Sequence, residues 1–410
     1  MMGGLVTLGL VLAASVVLFP SVVLFVECFL AAVLPDAPRR AAGPRASVAV
    51  LVPAHDEESV IAATVKRLLA ELRPGDRLVV VADNCTDGTA AVARAAGATV
   101  VERNEPHRRG KGFALERGVQ SLEGFPPDVV VVVDADCTLE AGSLEPLARA
   151  AAEGNRPAQA RDLVLLPPDP RPLDAVAAFA FLVKNFVRPS GLARLGLPCQ
   201  LMGTGMAFPW AILREARLGT SALVEDLQLG LDLALAGHPP RFCPEALVTS
   251  PLPRQEQARA SQRRRWEHGH LATLLGTAPR VLASAVRRLD PALLAMGLDL
   301  CVPPLSLLVL SSAAVLLVSV AAGALGAPWT PALLAGLAVG LVLASILAAW
   351  LRFGRRHYPA SVLLKAPLYS LAKIPLYFGF VGRRQRDWVR TQREPGGEPP
   401  ARPDGPAADR

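Results

Sequence analysis

The pattern of hydrophobic and polar positions gives the chain two strongly apolar ends around a more polar middle. Residues 5–34 form one apolar run that is longer than the core of a signal peptide and has no basic segment before it. Because about 20 residues cross a bilayer, this run predicts a membrane anchor with room for a kink at Pro20. The apolar runs 294–322 and 331–351 predict two more spans.

Basic residues near the apolar runs indicate the orientation of the chain. Three arginines lie between residues 39 and 45, and the positive-inside rule places the segment after them in the cytoplasm. The apolar segment 359–381 carries lysines and is followed by arginines, so we expect it to lie in the membrane interface or to span. The predicted organisation is an anchor (1–34), a linker (35–46), a cytoplasmic domain (47–290), a membrane region (291–382) and a disordered cytoplasmic tail (383–410).

The middle of the chain alternates short apolar runs with helical patterns. Continuous apolar runs are typical of buried parallel strands, so the alternation predicts an α/β, doubly wound sheet. The region 158–260 is less regular and rich in proline. The predicted strands are 47–53, 77–82, 98–101 and 129–134.

Composition narrows the classes of function. The chain is 51% hydrophobic with a mean hydropathy of +0.35, which fits a soluble domain joined to membrane segments. The six cysteines form no CxxC pair, which favours a reducing compartment over a disulfide framework or zinc site. The net charge of +7 leaves nucleic acid, anionic lipid and phosphate open as partners. Nucleic acid is disfavoured because arginine runs lie at membrane boundaries and only 5% of residues are aromatic.

Polar residues that come after the predicted strands are the first candidates for a ligand site, since ligands bind at the carboxyl ends of strands in such sheets. Asp83 follows the second strand and can accept hydrogen bonds from a nucleobase or ribose; the alternative is a simple turn. His55 and Asp56 follow the first strand and can face a ligand. Lys111, between two glycines at the start of a helix, can contact a phosphate.

Two pairs of carboxylates carry the remaining chemistry. Asp134 and Asp136 end a buried strand, and alternation along an extended chain points them the same way. Two neighbouring carboxylates repel each other, so a cation beside them is favoured; Mg²⁺ takes few protein carboxylates and completes its shell with water and phosphate. Glu225 and Asp226 open a helix, either as ordinary N-terminal charge or as a general base for a substrate hydroxyl.

The motifs together resemble the membrane-bound family 2 glycosyltransferases, which include polysaccharide synthases and ceramide-glucosyltransferase-like enzymes. Each motif is short, but their order and the flanking apolar segments match the family over about 47–275. The matching segments are "VPAHDEE" (52–58), "DNCTDGTA" (83–90), "RGKGFAL" (109–115), "DADC" (134–137), "VED" (224–226) and "QRRRW" (262–266).

The resemblance implies a GT-A, Rossmann-like catalytic domain and a role for each matched residue. Asp226 matches the catalytic base, and Asp136, with Asp134, matches the ligands of Mg²⁺ or Mn²⁺. The residues implied to bind the nucleotide-sugar are Asp83, Lys111, Asp134, Gln262 and Arg265. The residues implied to lie on the acceptor side are Gly203, Thr204, Glu225 and Trp266. The family's usual TED reads VED here, which keeps the Asp and changes its neighbourhood.

The implied function is an inverting, metal-dependent hexosyltransferase of the bacterial inner or plasma membrane. It transfers a sugar from a nucleotide-sugar, with a UDP-sugar as the expected donor, to a growing extracellular polysaccharide. Three spans are few for a private polymer channel, so a secretion partner or homo-oligomer is expected. The alternatives are transfer of one sugar to a ceramide-, hopanoid- or glycolipid-type acceptor, and a non-catalytic membrane scaffold.

Overall fold

The computed structural model describes residues 2–35, 46–220, 224–252 and 255–382. The predicted tail and most of the predicted linker lie outside these ranges. The described residues pack as two units. The helical unit contains 2–35, 170–196 and 270–382, and the sheet unit contains the described residues of 46–169 and 197–269. The predicted continuous domain 47–290 therefore differs from the packing, because 170–196 and 270–290 belong to the helical unit.

The sheet unit is built on one eight-stranded mixed sheet in the order β3-β2-β1-β4-β7-β6-β8-β5. Strands β3, β2, β1 and β4 are mutually parallel, whereas β7 runs antiparallel to β4 and β6. The strands are β1 (Val48–Ala54), β2 (Arg77–Asp83), β3 (Thr99–Arg103), β4 (Val129–Val132), β5 (Thr138–Leu139), β6 (Ala158–Leu165), β7 (Met206–Pro209) and β8 (Arg241–Pro251).

Helices cover both faces of the parallel part of the sheet, as the apolar runs predict. Alternate residues of β1 enter different cores: Val50 packs in one cluster and Leu51 in the other. The helices in these two clusters or beside them are α2 (Glu58–Glu71), α3 (Thr89–Ala95), α4 (Lys111–Leu122), α5 (Leu144–Gly154), α8 (Trp210–Leu213) and α9 (Glu225–Leu235). The two buried clusters confirm the doubly wound α/β prediction.

The predicted ends of two strands are corrected by the structure. β3 continues to Arg103, two residues beyond the predicted run, and β4 ends at Val132, two residues before Asp134. Asp134 and Asp136 therefore lie in a turn, which the hydrogen bond from Cys137 N to the Asp134 carbonyl closes at 3.0 Å. Strand alternation is the wrong reason for bringing these two carboxylates together; the turn does it.

The helical unit contains the apolar helices. Within the described ranges, three helices are long and apolar enough to cross a bilayer: Gly4–Val33, Leu305–Ala324 and Thr330–Gly354. The first continues through Pro20. The helices of this unit are α1 (Met2–Val33), α6 (Asp174–Leu182), α7 (Arg188–Arg194), the later part of α10 (Glu256–Arg288), α11 (Pro291–Leu300), α12 (Leu305–Ala324), α13 (Thr330–Ala349), α14 (Ser361–Ala372) and α15 (Ile374–Gly382), with π-helical turns at Val183–Val187 and Trp350–Gly354.

The predicted span 294–322 is two helices rather than one. α11 ends at Leu300 and α12 begins at Leu305, with Pro303 and Pro304 between them. Proline has no N–H to donate and its ring clashes with the preceding turn, so two in succession end a helix. The segment 359–381 is likewise divided, into α14 and α15.

A buried charge network joins three helices of this unit. The Arg188 Nε donates to Glu27 Oε2 at 2.6 Å, and its Nη2 donates to Asp299 Oδ1 at 2.5 Å and to the Asp299 carbonyl at 2.8 Å. Gly191 lets α7 approach α1 closely, because a β-carbon there would collide with the Glu27 carbonyl. Charges inside apolar helices need such partners, so this network fixes α1, α7 and α11 together.

Candidate active site

The nucleoside carboxylate predicted at the end of β2 is held by a neighbouring strand. Asp83 and Arg103 are register partners on β2 and β3, and Arg103 Nη1 donates to Asp83 Oδ1 at 2.5 Å. Asn84 Nδ2 donates to the same oxygen at 3.0 Å. The Arg103 guanidinium also lies 5.5 Å from the Phe113 ring centroid. Asp83 is thus oriented by a buried cation that the strand prediction missed, because the predicted run ended at 101.

The loops after β1 and β2 are fastened to one another. His55 Nδ1 lies 2.6 Å from the Asp83 carbonyl, and the Asp56 carboxylate accepts from Thr86 N at 2.6 Å. Asp56 adopts a left-handed conformation with a φ of 54°, which Asp tolerates better than most residues. The loop "PAHDEE" therefore supports the loop that carries Asp83, the residue predicted to contact the nucleoside.

Lys111 begins α4 and connects the acidic turn to the segment before β7. Its ammonium contacts the Asp134 carboxylate and donates to the Gly203 carbonyl at 2.6 Å. Burial alone lowers the pKa of Lys111, but Asp134, Glu225 and Asp226 outweigh burial and hold the pKa above its ordinary value. Lys111 is therefore a fixed positive charge among carboxylates.

The acidic turn brings together side chains that could hold a cation. The carboxylates of Asp134 and Asp136 and the thiol of Cys137 lie within 4.8 Å of one another. Burial raises the pKa of Asp134, Lys111 opposes that rise, and Asp136 adds to it. Burial, with the nearby aspartates, also holds the pKa of the Cys137 thiol well above its usual range. The two carboxylates, rather than a Cys137 thiolate, are thus the side chains that could bind a metal ion.

The predicted base lies at the start of α9, beside the segment before β7. Gly203 has a φ of 94°, and a β-carbon built on it stands 3.2 Å from Asp226 Oδ2 and 3.9 Å from Lys111 Nζ. Glycine is therefore required there both for its backbone conformation and for the approach of the carboxylate. Lys111, Glu225, Asp226 and the exposed Arg217 line the same recess.

Glu225 shares the neighbourhood of the base. Burial and the charge of Asp226 raise the pKa of Glu225 to about 7, while Lys111 and Arg265 oppose the rise. Two adjacent carboxylates with different environments are typical of acid–base sites. The influence of Arg265 brings the "QRRRW" segment into the electrostatics of this site.

The arginines of "QRRRW" lie on α10 and differ in their partners. Arg263 donates to Glu256 at 2.7 Å, a local pair on the same helix. Gln262 and Arg265 are partly buried, and Trp266 is 36% exposed. The assignment of Gln262, Arg265 and Trp266 to the diphosphate and the acceptor remains a prediction.

The residues predicted on the acceptor side have unequal surroundings. Thr204 is 4% exposed, and its hydroxyl accepts from Asp134 N at 3.1 Å. The Gly203 carbonyl accepts from Lys111. Both residues therefore contact Lys111 or Asp134, which are predicted to bind the donor, and their role toward an acceptor remains a prediction.

A solved structure that is similar to this chain identifies its fold. A mannosyltransferase from Pyrobaculum calidifontis, solved with GDP-mannose and Mn²⁺, matches 83% of this chain and 97% of its own at a TM-score of 0.52 and 19% identity. That likeness gives the sheet unit, with its acidic turn after β4, the GT-A fold of nucleotide-sugar transferases. The expected GT-A architecture is confirmed.

The sequence comparisons identify the family. The profile described as glycosyltransferase-like family 2 matches residues 44–269, more than half of the chain. The chain therefore belongs to family 2 of the glycosyltransferases and is an enzyme of that class, as the resemblance implied.

Curated relatives cover parts of the chain. An uncharacterised glycosyltransferase of Mycobacterium bovis is 40% identical over 101 residues, 25% of this chain and 42% of the relative. A probable glycosyltransferase of Bacillus subtilis, YdaM, is 27% identical over 240 residues, 56% of each chain. The match thus spans less than half the length of the mycobacterial relative.

Proposed function

We propose that the protein transfers a sugar from a nucleotide-sugar to an acceptor hydroxyl with inversion at the anomeric carbon. The observation that carries this proposal is the approach of Asp226 to Lys111 and Gly203, with Lys111 in turn on Asp134. A base, a fixed cation and a metal-binding carboxylate are thereby adjacent. These are the groups that a single displacement at a sugar diphosphate needs.

The acidic turn suits a divalent cation of the Mg²⁺ or Mn²⁺ type. Asp134 and Asp136 are hard oxygen ligands, and the burial that disfavours a charged Asp134 is offset by a cation. The mannosyltransferase with the same fold was solved with Mn²⁺. Asp136 and Asp134 are the proposed ligands, and the bound ion supplies charge stabilisation at the leaving diphosphate.

The remaining residues act on the nucleotide-sugar donor and on the acceptor. Asp83, oriented by Arg103, accepts hydrogen bonds from the nucleoside. Arg265, with Gln262, meets diphosphate oxygens and stabilises the charge that develops on them. Asp226 removes the proton from the acceptor hydroxyl as that oxygen attacks the anomeric carbon from the face opposite the diphosphate. One displacement converts an α-linked donor to a β-linked product.

The proposed donor is a UDP-sugar and the proposed product an extracellular polysaccharide. Support comes from the "QRRRW" segment and Trp266, the matched motif of processive family members. The three apolar helices support a membrane location, for which we propose the bacterial inner membrane with the sheet unit in the cytoplasm. Polymer export then requires a secretion partner or a homo-oligomer.

Transfer of a single sugar to a membrane lipid is the second candidate. It is favoured because only three helices within the described ranges are long enough to span. Such a product needs no channel of its own through the bilayer.

The test uses the full chain purified in detergent or nanodiscs and supplied with UDP- and GDP-sugars, Mn²⁺ and a bacterial lipid extract. We expect nucleoside diphosphate release from one donor, a large product retained early on a sizing column, and no release by the Asp226→Asn variant. A product that partitions into organic solvent as a single-sugar lipid supports the second candidate. Absence of release with every donor contradicts both.

A further inference from the structure

Gln159, on β6, holds the segment between Met202 and Gly205 from both sides. It is fully buried, and its Oε1 accepts from Met202 N at 2.8 Å while its Nε2 donates to the Thr204 carbonyl at 2.9 Å. The Nε2 also donates to the Ala160 carbonyl at 2.9 Å. One amide therefore satisfies a donor and an acceptor of the same short segment.

That segment contacts three functional groups of the candidate active site. The Gly203 carbonyl accepts from Lys111, the Thr204 hydroxyl accepts from Asp134 N, and Gly203 lies against Asp226. Positive φ values of 94° and 62° at Gly203 and Gly205 give the segment a backbone form that few other residues share. Its shape consequently depends on outside contacts.

We propose that Gln159 is a positioning residue for transfer, which sets the relative placement of Asp134, Lys111 and Asp226 through the 202–205 segment. This proposal rests on the proposed function, because kcat can be measured only if the protein is an active transferase. The Gln159 amide bonds to backbone groups of the segment rather than to these three side chains. Without it, those backbone groups would lose these hydrogen bonds, which costs free energy and loosens the segment.

The nucleoside side is supported separately. Asp83 is oriented by Arg103 and Asn84, which belong to β3 and the loop after β2. Loss of the Gln159 amide should therefore affect metal binding and the transfer step more than nucleotide binding. This split distinguishes a positioning residue from a residue that only stabilises the fold.

The main variant is Gln159→Leu, which keeps the approximate volume and removes both hydrogen-bonding functions. We expect kcat to fall about ten- to a hundredfold and the Mn²⁺ concentration for half-activation to rise about tenfold, as for other residues that orient metal ligands. The KM for the nucleotide-sugar should change less than about threefold, because the Asp83 contacts remain. Each value is normalised to folded protein.

The matched control is Leu163→Ala on the same strand, a buried residue of the sheet that makes none of these contacts. It should lower the melting temperature without changing kcat or Mn²⁺ half-activation per folded molecule.

Gln159→Glu is the second variant, because a protonated Glu can accept from Met202 N and donate to the Thr204 carbonyl. Its activity relative to wild type should rise as the pH is lowered.

A binding readout separates this proposal from the proposed function. Free Mn²⁺ is titrated by electron paramagnetic resonance against wild type and Gln159→Leu in the presence of UDP or GDP. Weaker Mn²⁺ binding by Gln159→Leu, but not by Leu163→Ala, supports the positioning role even where no transfer is detected. Equal Mn²⁺ binding and equal kcat in wild type and Gln159→Leu would overturn it.

Discussion

The two units of the molecule use buried charge in different ways. In the helical unit, Arg188 and Glu27 have side chains only 8% and 3% exposed, and the guanidinium bonds directly to two carboxylates. In the sheet unit, Lys111 and Asp134 are 16% and 33% exposed, and a recess opens beside the lysine. The first network is closed on itself and serves architecture; the second leaves charge available to a ligand.

The largest effect on activity is expected from Asp226→Asn, which removes the proposed base and keeps its shape. We expect kcat to fall about a thousandfold, within the range for general bases, while nucleotide binding is retained. Asp232→Asn on the same helix, whose carboxylate accepts from Gln228, is the matched control and should keep its activity. Near-normal nucleotide release by Asp226→Asn would remove this residue from the mechanism.

Metal removal is the next test, and it concerns the Asp134 and Asp136 carboxylates of the sheet unit. EDTA should reduce kcat about a hundredfold or more, with recovery on adding Mn²⁺, because an ion held by Asp134 and Asp136 would stabilise the leaving diphosphate. Asp136→Asn should raise the Mn²⁺ requirement. Asp87→Asn, in the other group of acidic side chains near Asp56, should leave the Mn²⁺ requirement unchanged. Full activity in EDTA is the contrary result.

Arg188→Met tests the closed network of the helical unit. Removing one partner leaves buried carboxylates uncompensated, so we expect the free energy of unfolding to fall by about 3–5 kcal/mol. The double variant Arg188→Met with Glu27→Gln should recover part of that loss. Thermal unfolding in detergent measures the stability, and kcat per folded molecule should remain near wild type. A stable but inactive Arg188→Met variant would contradict the division between the units.

The smallest effect expected is a pH dependence of stability that comes from Glu225. Its pKa of about 7 is above the ordinary value of 4.5, so its contribution to stability is fully present below pH 4.5 and is lost as the pH rises to 7. Without ligand, wild type should therefore lose a few degrees of melting temperature between pH 5 and 8 relative to Glu225→Gln. Parallel curves for the two proteins would show that Glu225 is not held in this environment.

Much of the sheet unit could be predicted because its strands are short apolar runs followed by polar turns. Asp83 ends β2, Asp134 lies in the turn two residues after β4, and Asp226 lies in the first turn of α9. Local patterns indicate all three positions, although the predicted end of β4 was two residues too late. Arg103 and Gln159 could not be found this way. Asp83 is 20 residues from Arg103, and Met202 and Thr204 are 43 or more residues from Gln159. Only the order of the strands in the sheet brings these residues together.

The apolar helices also show what local sequence patterns miss. Hydropathy alone merges 294–322 into one span, although Pro303 and Pro304 carry the signal that divides it. Arg188 and the two residues that it joins, Glu27 and Asp299, lie on three different helices, so their contact depends on tertiary packing that no local pattern encodes.

The central claim is that one displacement, assisted by Asp226, inverts the anomeric carbon. The most direct test is the anomeric configuration of the first product formed by the full chain from an α-linked nucleotide-sugar, read by nuclear magnetic resonance. The account predicts a β-linkage, formed by wild type and not by Asp226→Asn. An α-linkage in the first product would contradict it.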